Sequence, residues 1–345
     1  MMTKTKMLLS SVTLVALLAA CGNNDEGQTN VNADPANNIT NENTNVTTEE
    51  NDNDLTTEDP DEVSAEEVDY SGDGGYFYRT ANGDTTVYML GTIHVGHEDF
   101  YPLAPEIEDA FEASDVVLPE IDLSSVEQDD AAFMNMGMFE DDTTLQDVLS
   151  EDAYEELVTI VESQGLSSEM INQFQPWIIE SMLLEILMMD SELSAFEGVD
   201  MHFLQRALDD EKEIRELESV EEQFAMMSSF SMETQVQTLE EMIETFDEQS
   251  SGLDELALAW INGNDEEYRN EMIDTLEESF DNVDEEYRTA INDERNIDMA
   301  NSIDEILQED SGQTYFVIVG AAHFLLDPSI PSELEDKGYE VEELY

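Results

Sequence analysis

Met89-Leu90-Gly91-Thr92-Ile93-His94 and Ile318-Val319-Gly320-Ala321-Ala322-His323 share one pattern, an apolar run that enters Gly-x-x-His. Each run reads as a buried strand, and functional side chains of an α/β sheet collect outside the carboxyl ends of its strands. If the two strands run parallel, both imidazoles reach the same edge. Gly91 and Gly320 fit such a strand exit, because a residue without Cβ permits close approach of backbone to a ligand. A single Gly-x-x-His is weak, since an ordinary loop histidine explains it; the duplication favours a shared site.

Working outward, Tyr76-Phe77-Tyr78, the turn Ala81-Asn82-Gly83-Asp84 and Thr85 to Leu90 form a hairpin pattern. Pro105 opens a helix through Ala113 and Val116 to Ile121 is the next strand, a β-α-β unit. Helical periodicity then covers Asp152 to Gln164, Pro176 to Met189, Asp200 to Leu208, Val220 to Ser228, Glu233 to Phe246, Leu253 to Asn262, Asp265 to Leu276 and Asp284 to Leu307. A short strand at Glu213 to Leu217 interrupts them. Thr314 to Val319 returns to the sheet, before a helix near Ser332 to Lys337 and a strand at Glu340 to Leu344. The expected fold is α/β with a large helical insertion between the amino- and carboxyl-terminal strands. Asp-Glu-Glu-Tyr-Arg occurs twice, at Asp265 and Asp284, and reads as an acidic helix start.

The 345 residues carry 86 Asp and Glu against 10 Lys and Arg, a net charge of -76. Binding phosphates requires clustered basic residues, so nucleic acid and anionic headgroups are excluded as partners. Self-repulsion at this charge points to adaptation to high salt, where the Debye length is about 3 Å at 1 M. Hydrophobic content of 40% still suffices for a core.

Lys4 and Lys6 precede an uncharged stretch, Met7 to Ala20, too short to span a bilayer and typical of an export signal over residues 1–20. Leu18-Ala19-Ala20-Cys21 resembles a bacterial lipobox, which makes Cys21 the acylated first residue of an extracytoplasmic, membrane-anchored protein attached by its lipid alone. Cys21 is the only cysteine, so disulfides within the chain and thiolate catalysis are excluded. Residues 21–69 are rich in Asn, Thr, Asp and Glu without aromatics and read as a disordered acidic tether; the folded domain is expected over 70–345.

Glu120 ends the strand between the two histidine motifs. Two imidazoles and a carboxylate, His94, His323 and Glu120, form a common ligand set for a divalent cation that activates water. Most of the 86 acidic residues must be solvated surface, so Glu120 stands out through its position alone. Arg295 is one of few basic residues and sits in an acidic helix; it is read either as an oxyanion stabiliser or as an intrahelical partner of Asp298. Met134, Met136, Met138, Met226, Met227 and Met232 read as ordinary packing. Phosphate-cradling loops, Gly-x-Ser-x-Gly and His-Glu-x-x-His are not found.

The run Met89 to Gly96, with Asp99-Phe100-Tyr101-Pro102-Leu103, Glu120-Ile121-Asp122, Gly198 to Phe203, Leu217-Glu218, Gln223, Glu294-Arg295-Asn296 and Val319 to Phe324, closely resembles the TraB/GumN family, which includes the Tiki proteases. The resemblance covers essentially Tyr76 to Tyr345. It implies an erythromycin esterase and ChaN-like fold, a mixed central sheet flanked by helices, and metal-dependent peptide hydrolysis with Mn or Co. His94 and His323 match the paired motif histidines and Glu120 the acidic partner. Glu218 and Gln223 are placed to orient substrate or water, and Asp200 and His202 as a helix cap and an outer-layer group. His97 is peripheral.

The leading expectation is a metal-dependent hydrolase, a peptidase acting on a peptide or protein, with Mn, Co or Zn. A metal-independent esterase-like hydrolase and a surface protein that sequesters peptide or haem are the alternatives. The sequence leaves the oligomeric state open.

Overall fold

The computed structural model describes residues 68–124, 137–189, 191–280 and 283–345. The signal peptide, Cys21, nearly all of the tether, Met134 and Met136 lie outside them. Tyr70, buried and donating its hydroxyl to Asp254 Oδ1 (2.6 Å), is the first core aromatic among the described residues. The class is α/β, with a mixed six-stranded sheet.

The hairpin forms as β1 (Phe77–Asn82) and β2 (Thr85–Thr92), turned at Gly83, whose positive φ of 59° suits a residue without Cβ. Helix α1 (Pro105–Ala113) has proline in its first turn and leads to β3 (Val116–Pro119). The insertion runs through α2 (Glu151–Ser163), α3 (Pro176–Met189), α4 (Val199–Asp209), the short β4 (Glu213–Ile214), α5 (Val220–Ser229), α6 (Met232–Glu244), α7 (Phe246–Ile261) and α8 (Glu266–Phe280). Helix α9 (Arg295–Glu309) precedes β5 (Thr314–Gly320), α10 (Ile330–Asp336) and β6 (Val341–Glu343).

The strands expected to reach Ile121 and Leu217 end earlier, at Pro119 and Ile214, and two helix expectations also differ from the structure. The helix expected without interruption from Asp284 to Leu307 is divided into one turn at Glu285–Arg288, a wide π turn at Thr289–Glu294, and α9. Residues 247–252, expected to be a break, belong to α7, whose first turn is tied down by buried Gln249 donating to Thr245 Oγ1 (2.6 Å).

The strand order is β4-β3-β5-β2-β1-β6. Strands β4, β3, β5 and β2 are mutually parallel, while β1 pairs antiparallel with β2 and with β6. Thus β5 lies between β2 and β3. Its residues Tyr315 to Val319 are fully buried, which is why this stretch reads as an unbroken apolar run. Phe111 of α1 and Phe203 of α4 meet Phe316 of β5 with centroids 5.6 and 5.3 Å apart, and α9 packs along β1 and β2. Burying such an aromatic contributes about 1.5–3 kcal/mol. Among the described residues no helix is long and apolar enough to cross a membrane.

Candidate active site

The four parallel strands end on one edge, and each delivers a functional side chain. His94 follows β2, Glu120 follows β3, His323 follows β5 and Glu218 continues β4. Glu218 N–H donates to Glu120 O (2.9 Å), extending the ladder past the strand's last paired residue. A capping box fixes what comes next: Ser219 accepts from Glu222 N–H while Glu222 accepts from Ser219 N–H. This turn aims Glu218 inward and brings buried Gln223 to 3.5 Å from Glu120 Oε1.

His323 is the middle member of the cluster, because β5 separates β2 from β3. Its Nε2 is 3.9 Å from Glu120 Oε2. A Cβ built on Gly320 would sit 3.5 Å from His94 Nε2, 3.7 Å from His323 Cδ2 and 3.8 Å from Glu120 Oε2. Those three side chains therefore surround one small volume that Gly320 leaves clear.

The opposite ring nitrogens both face oxygens. Asn296 Nδ2 donates to Pro328 O (2.6 Å), which turns Asn296 Oδ1 toward His323 Nδ1, 2.5 Å away. An amide oxygen only accepts, so the His323 proton resides on Nδ1 and leaves Nε2, 3.9 Å from Glu120 Oε2, with a free lone pair. His94 Nδ1 is 3.2 Å from Asp200 Oδ2, an ion-pair contact too oblique for an aligned hydrogen bond. Asp200 is inside the first turn of α4, whose cap position belongs to Gly198; the cap reading of Asp200 is thereby corrected.

Arg295 is committed to carboxylates from two strand ends. Its Nη2 donates to Glu120 Oε1 and to Glu218 Oε2 (2.6 Å), its Nε to Glu218, and its Nη1 to Ile291 O (3.2 Å). The last bond spans the π turn. Asp298 is not its partner: Arg295 holds the two glutamates in place. Gly320 N–H also donates to Glu120 Oε2 (3.3 Å).

These surroundings set the charges. Burial opposes ionisation of Glu120, but Arg295, His323 and His94 hold its pKa down to about 2. For Glu218 burial wins and the pKa is raised despite Arg295. Burial and then Arg295 lower His323 to about 3, whereas at His94 burial is outweighed by Asp200 and Glu120, and the pKa is raised.

Two histidines are elsewhere. His97 accepts from Asp99 N–H (3.2 Å) at a short 3₁₀ turn and leans on Tyr70. His202 stacks on Tyr101 with centroids 3.6 Å apart, and burial, with Arg206, lowers it to about 4. Asn296 and Asn292 carry no signal of a role in the sequence; Asn296 beside Arg295 in an acidic helix is a buried amide only in three dimensions.

The profile of the TraB/PrgY/gumN family matches residues 76–343. The chain belongs to the TraB/PrgY/gumN family. It is 28% identical over 148 residues to the uncharacterized protein YbaP of Escherichia coli K12, covering 43% of this chain and 54% of YbaP. An uncharacterized protein of Treponema pallidum strain Nichols is 25% identical over 170 residues, covering 48% of this chain and 50% of that protein. The chain thus spans about half the length of the curated relatives it matches. No solved structure matches it.

Proposed function

We propose that this chain is an extracytoplasmic, lipid-anchored, metal-dependent hydrolase that cleaves peptide or protein substrates. The observation that supports it is the pair of imidazoles whose Nδ1 atoms face oxygen partners while His94 Nε2, His323 Cδ2 and Glu120 Oε2 surround the space beside Gly320 and His323 Nε2 lies 3.9 Å from Glu120 Oε2. Oxygen partners on the far nitrogen are what orient imidazoles that ligate metals. Two imidazoles and one carboxylate suit Mn, Co or Zn. Among the described residues no three such groups are already closed to coordination distance, so His94, His323 and Glu120 would hold the cation after side-chain rotation. When bound, it lowers the pKa of a water and polarises the substrate carbonyl.

The chain's own residues supply the rest. Glu120 stays anionic because Arg295 and Gly320 N–H hold both its oxygens. Asn296 orients the His323 ring and Asp200 faces His94 Nδ1, and Glu218 shares the charge of Arg295, which keeps the guanidinium from turning away.

A second reading, metal-independent esterase-like hydrolysis, draws on the opposite displacements of His94 and His323, since paired groups pushed apart in pKa suit acid and base roles. The test is digestion of a peptide library in molar NaCl by the fragment from Tyr70 onward, with added Mn, Co or Zn, a chelator, and His94→Ala. Chelator-sensitive cleavage lost in His94→Ala is the expected result. Chelator-resistant cleavage supports the second reading, and saturable peptide or haem binding without product overturns both.

A further inference from the structure

Beside the two imidazoles lies a cavity of about 50 Å³. Its far wall is apolar: Leu256 of α7, Met272, Leu276 and Phe280 of α8, and Ile291 of the π turn, all buried. Besides His94 Nδ1, two polar atoms of residues lining the cavity have no hydrogen-bond partner in the protein, Asn292 Oδ1 next to the apolar wall and Thr92 Oγ1 at the end of β2, although Asn292 is only 1% exposed and Thr92 2%. Buried polar groups are otherwise nearly always paired, and an unpaired one beside a candidate active site points to a ligand group.

The chemistry of that ligand can be read from the free atoms. Asn292 Nδ2 donates to Asp293 Oδ1 (3.1 Å), which leaves the amide oxygen, a pure acceptor, as the free end. It calls for an N–H. Thr92 Oγ1 can donate to a carbonyl. A peptide unit offers both, and the apolar wall suits the side chain next to them. The volume is about a third of the ~150 Å³ apolar cavity that takes up benzene, so the side chain is of alanine to valine size.

We infer that this cavity is a subsite for one small apolar residue of a peptide, its backbone N–H received by Asn292 Oδ1 and its side chain seated against α8. The inference rests on the hydrolase reading for the role of the neighbouring imidazoles. It makes the site selective for amides over esters, because an ester lacks the N–H and leaves Asn292 unpaired.

Binding rather than turnover tests it, so its failure is separable from that of the hydrolase reading. The full-length chain is labelled at methionine methyl groups, the Met272 signal is assigned with Met272→Leu, and N-acetyl-valine methylamide is titrated. A saturable shift of Met272 is expected, with affinity at least five-fold weaker for the ester analogue in which oxygen replaces the valine N–H, and weaker again for N-acetyl-aspartate methylamide. Asn292→Ala should bring the amide-to-ester ratio below two. An unmoved Met272 signal, equal affinity for amide and ester in the wild type, or equal affinity for valine and aspartate overturns the proposal. Should Asn292→Ala fail to fold, the wild-type ratio alone decides.

Discussion

Glu180→Gln should stabilise the protein near neutral pH, by an amount that grows with pH. Glu180 lies in α3, 3% exposed, against Thr238 of α6, which donates to its carboxyl oxygen. Burial raises its pKa from 4.5 to about 8, with the Thr238 bond opposing. The folded state thus retains a proton that the unfolded chain releases above pH 4.5. Stability from this group is fully present below pH 4.5 and is lost as pH rises through about 8, at about 1.4 kcal/mol per unit. Glutamine keeps the shape and stays neutral. The variant should therefore match wild type near pH 4.5, exceed it by about 3 kcal/mol at pH 7 and by about 5 kcal/mol above pH 8. Urea denaturation at fixed molar NaCl measures the difference, in which the other carboxylates cancel. A difference independent of pH from 5 to 8 would show that Glu180 is ionised in the fold and refute the reasoning.

Arg295→Leu leaves Glu120 and Glu218 buried without their cation and should cost about 3–5 kcal/mol, read by urea denaturation; a loss below 1 kcal/mol would mean that the glutamates find other partners. Gly320→Ala places a methyl at ordinary contact distance from His94, His323 and Glu120, so hydrolysis should fall at least 100-fold while the melting temperature stays within a few degrees; retained turnover would count against the shared volume. Cys21→Ser should move the protein from the membrane to the soluble fraction, and unchanged membrane retention with acylation intact would end the lipid-anchor reading. With a net charge of -76, melting temperature should rise from low to molar NaCl, and a flat or falling curve would remove the high-salt argument.

Strong periodicity made much of this fold legible. Helix α3 matches its expected limits at Pro176 and Met189, and β5 extends only one residue beyond them, because each buries an apolar surface that leaves little room for other readings. The π turn was not legible. Ile291, Asn292 and Arg295 fit a regular helix as well, and the wider turn immediately precedes the guanidinium that pairs with Glu120 and Glu218, a distortion frequent at functional sites. The histidine pair could be found from its repeated motif. That β5 separates β2 from β3, making His323 central and Glu120 flanking, is a property of strand order, on which local sequence is silent.

That strand order also governs how the molecule can assemble. Strand β5 fills the slot between β2 and β3, yet Gly320 and Glu120, which meet across it, are 200 positions apart. Closing a loop of that length carries an entropic cost of about 5 kcal/mol by the logarithmic relation, borne before the buried strand returns any packing. Until that loop closes, β2 and β3 stand as half-finished edges. The cluster of His94, Glu120 and His323 comes into being in the same step that seals the core, so a partly folded chain does not yet hold the candidate site.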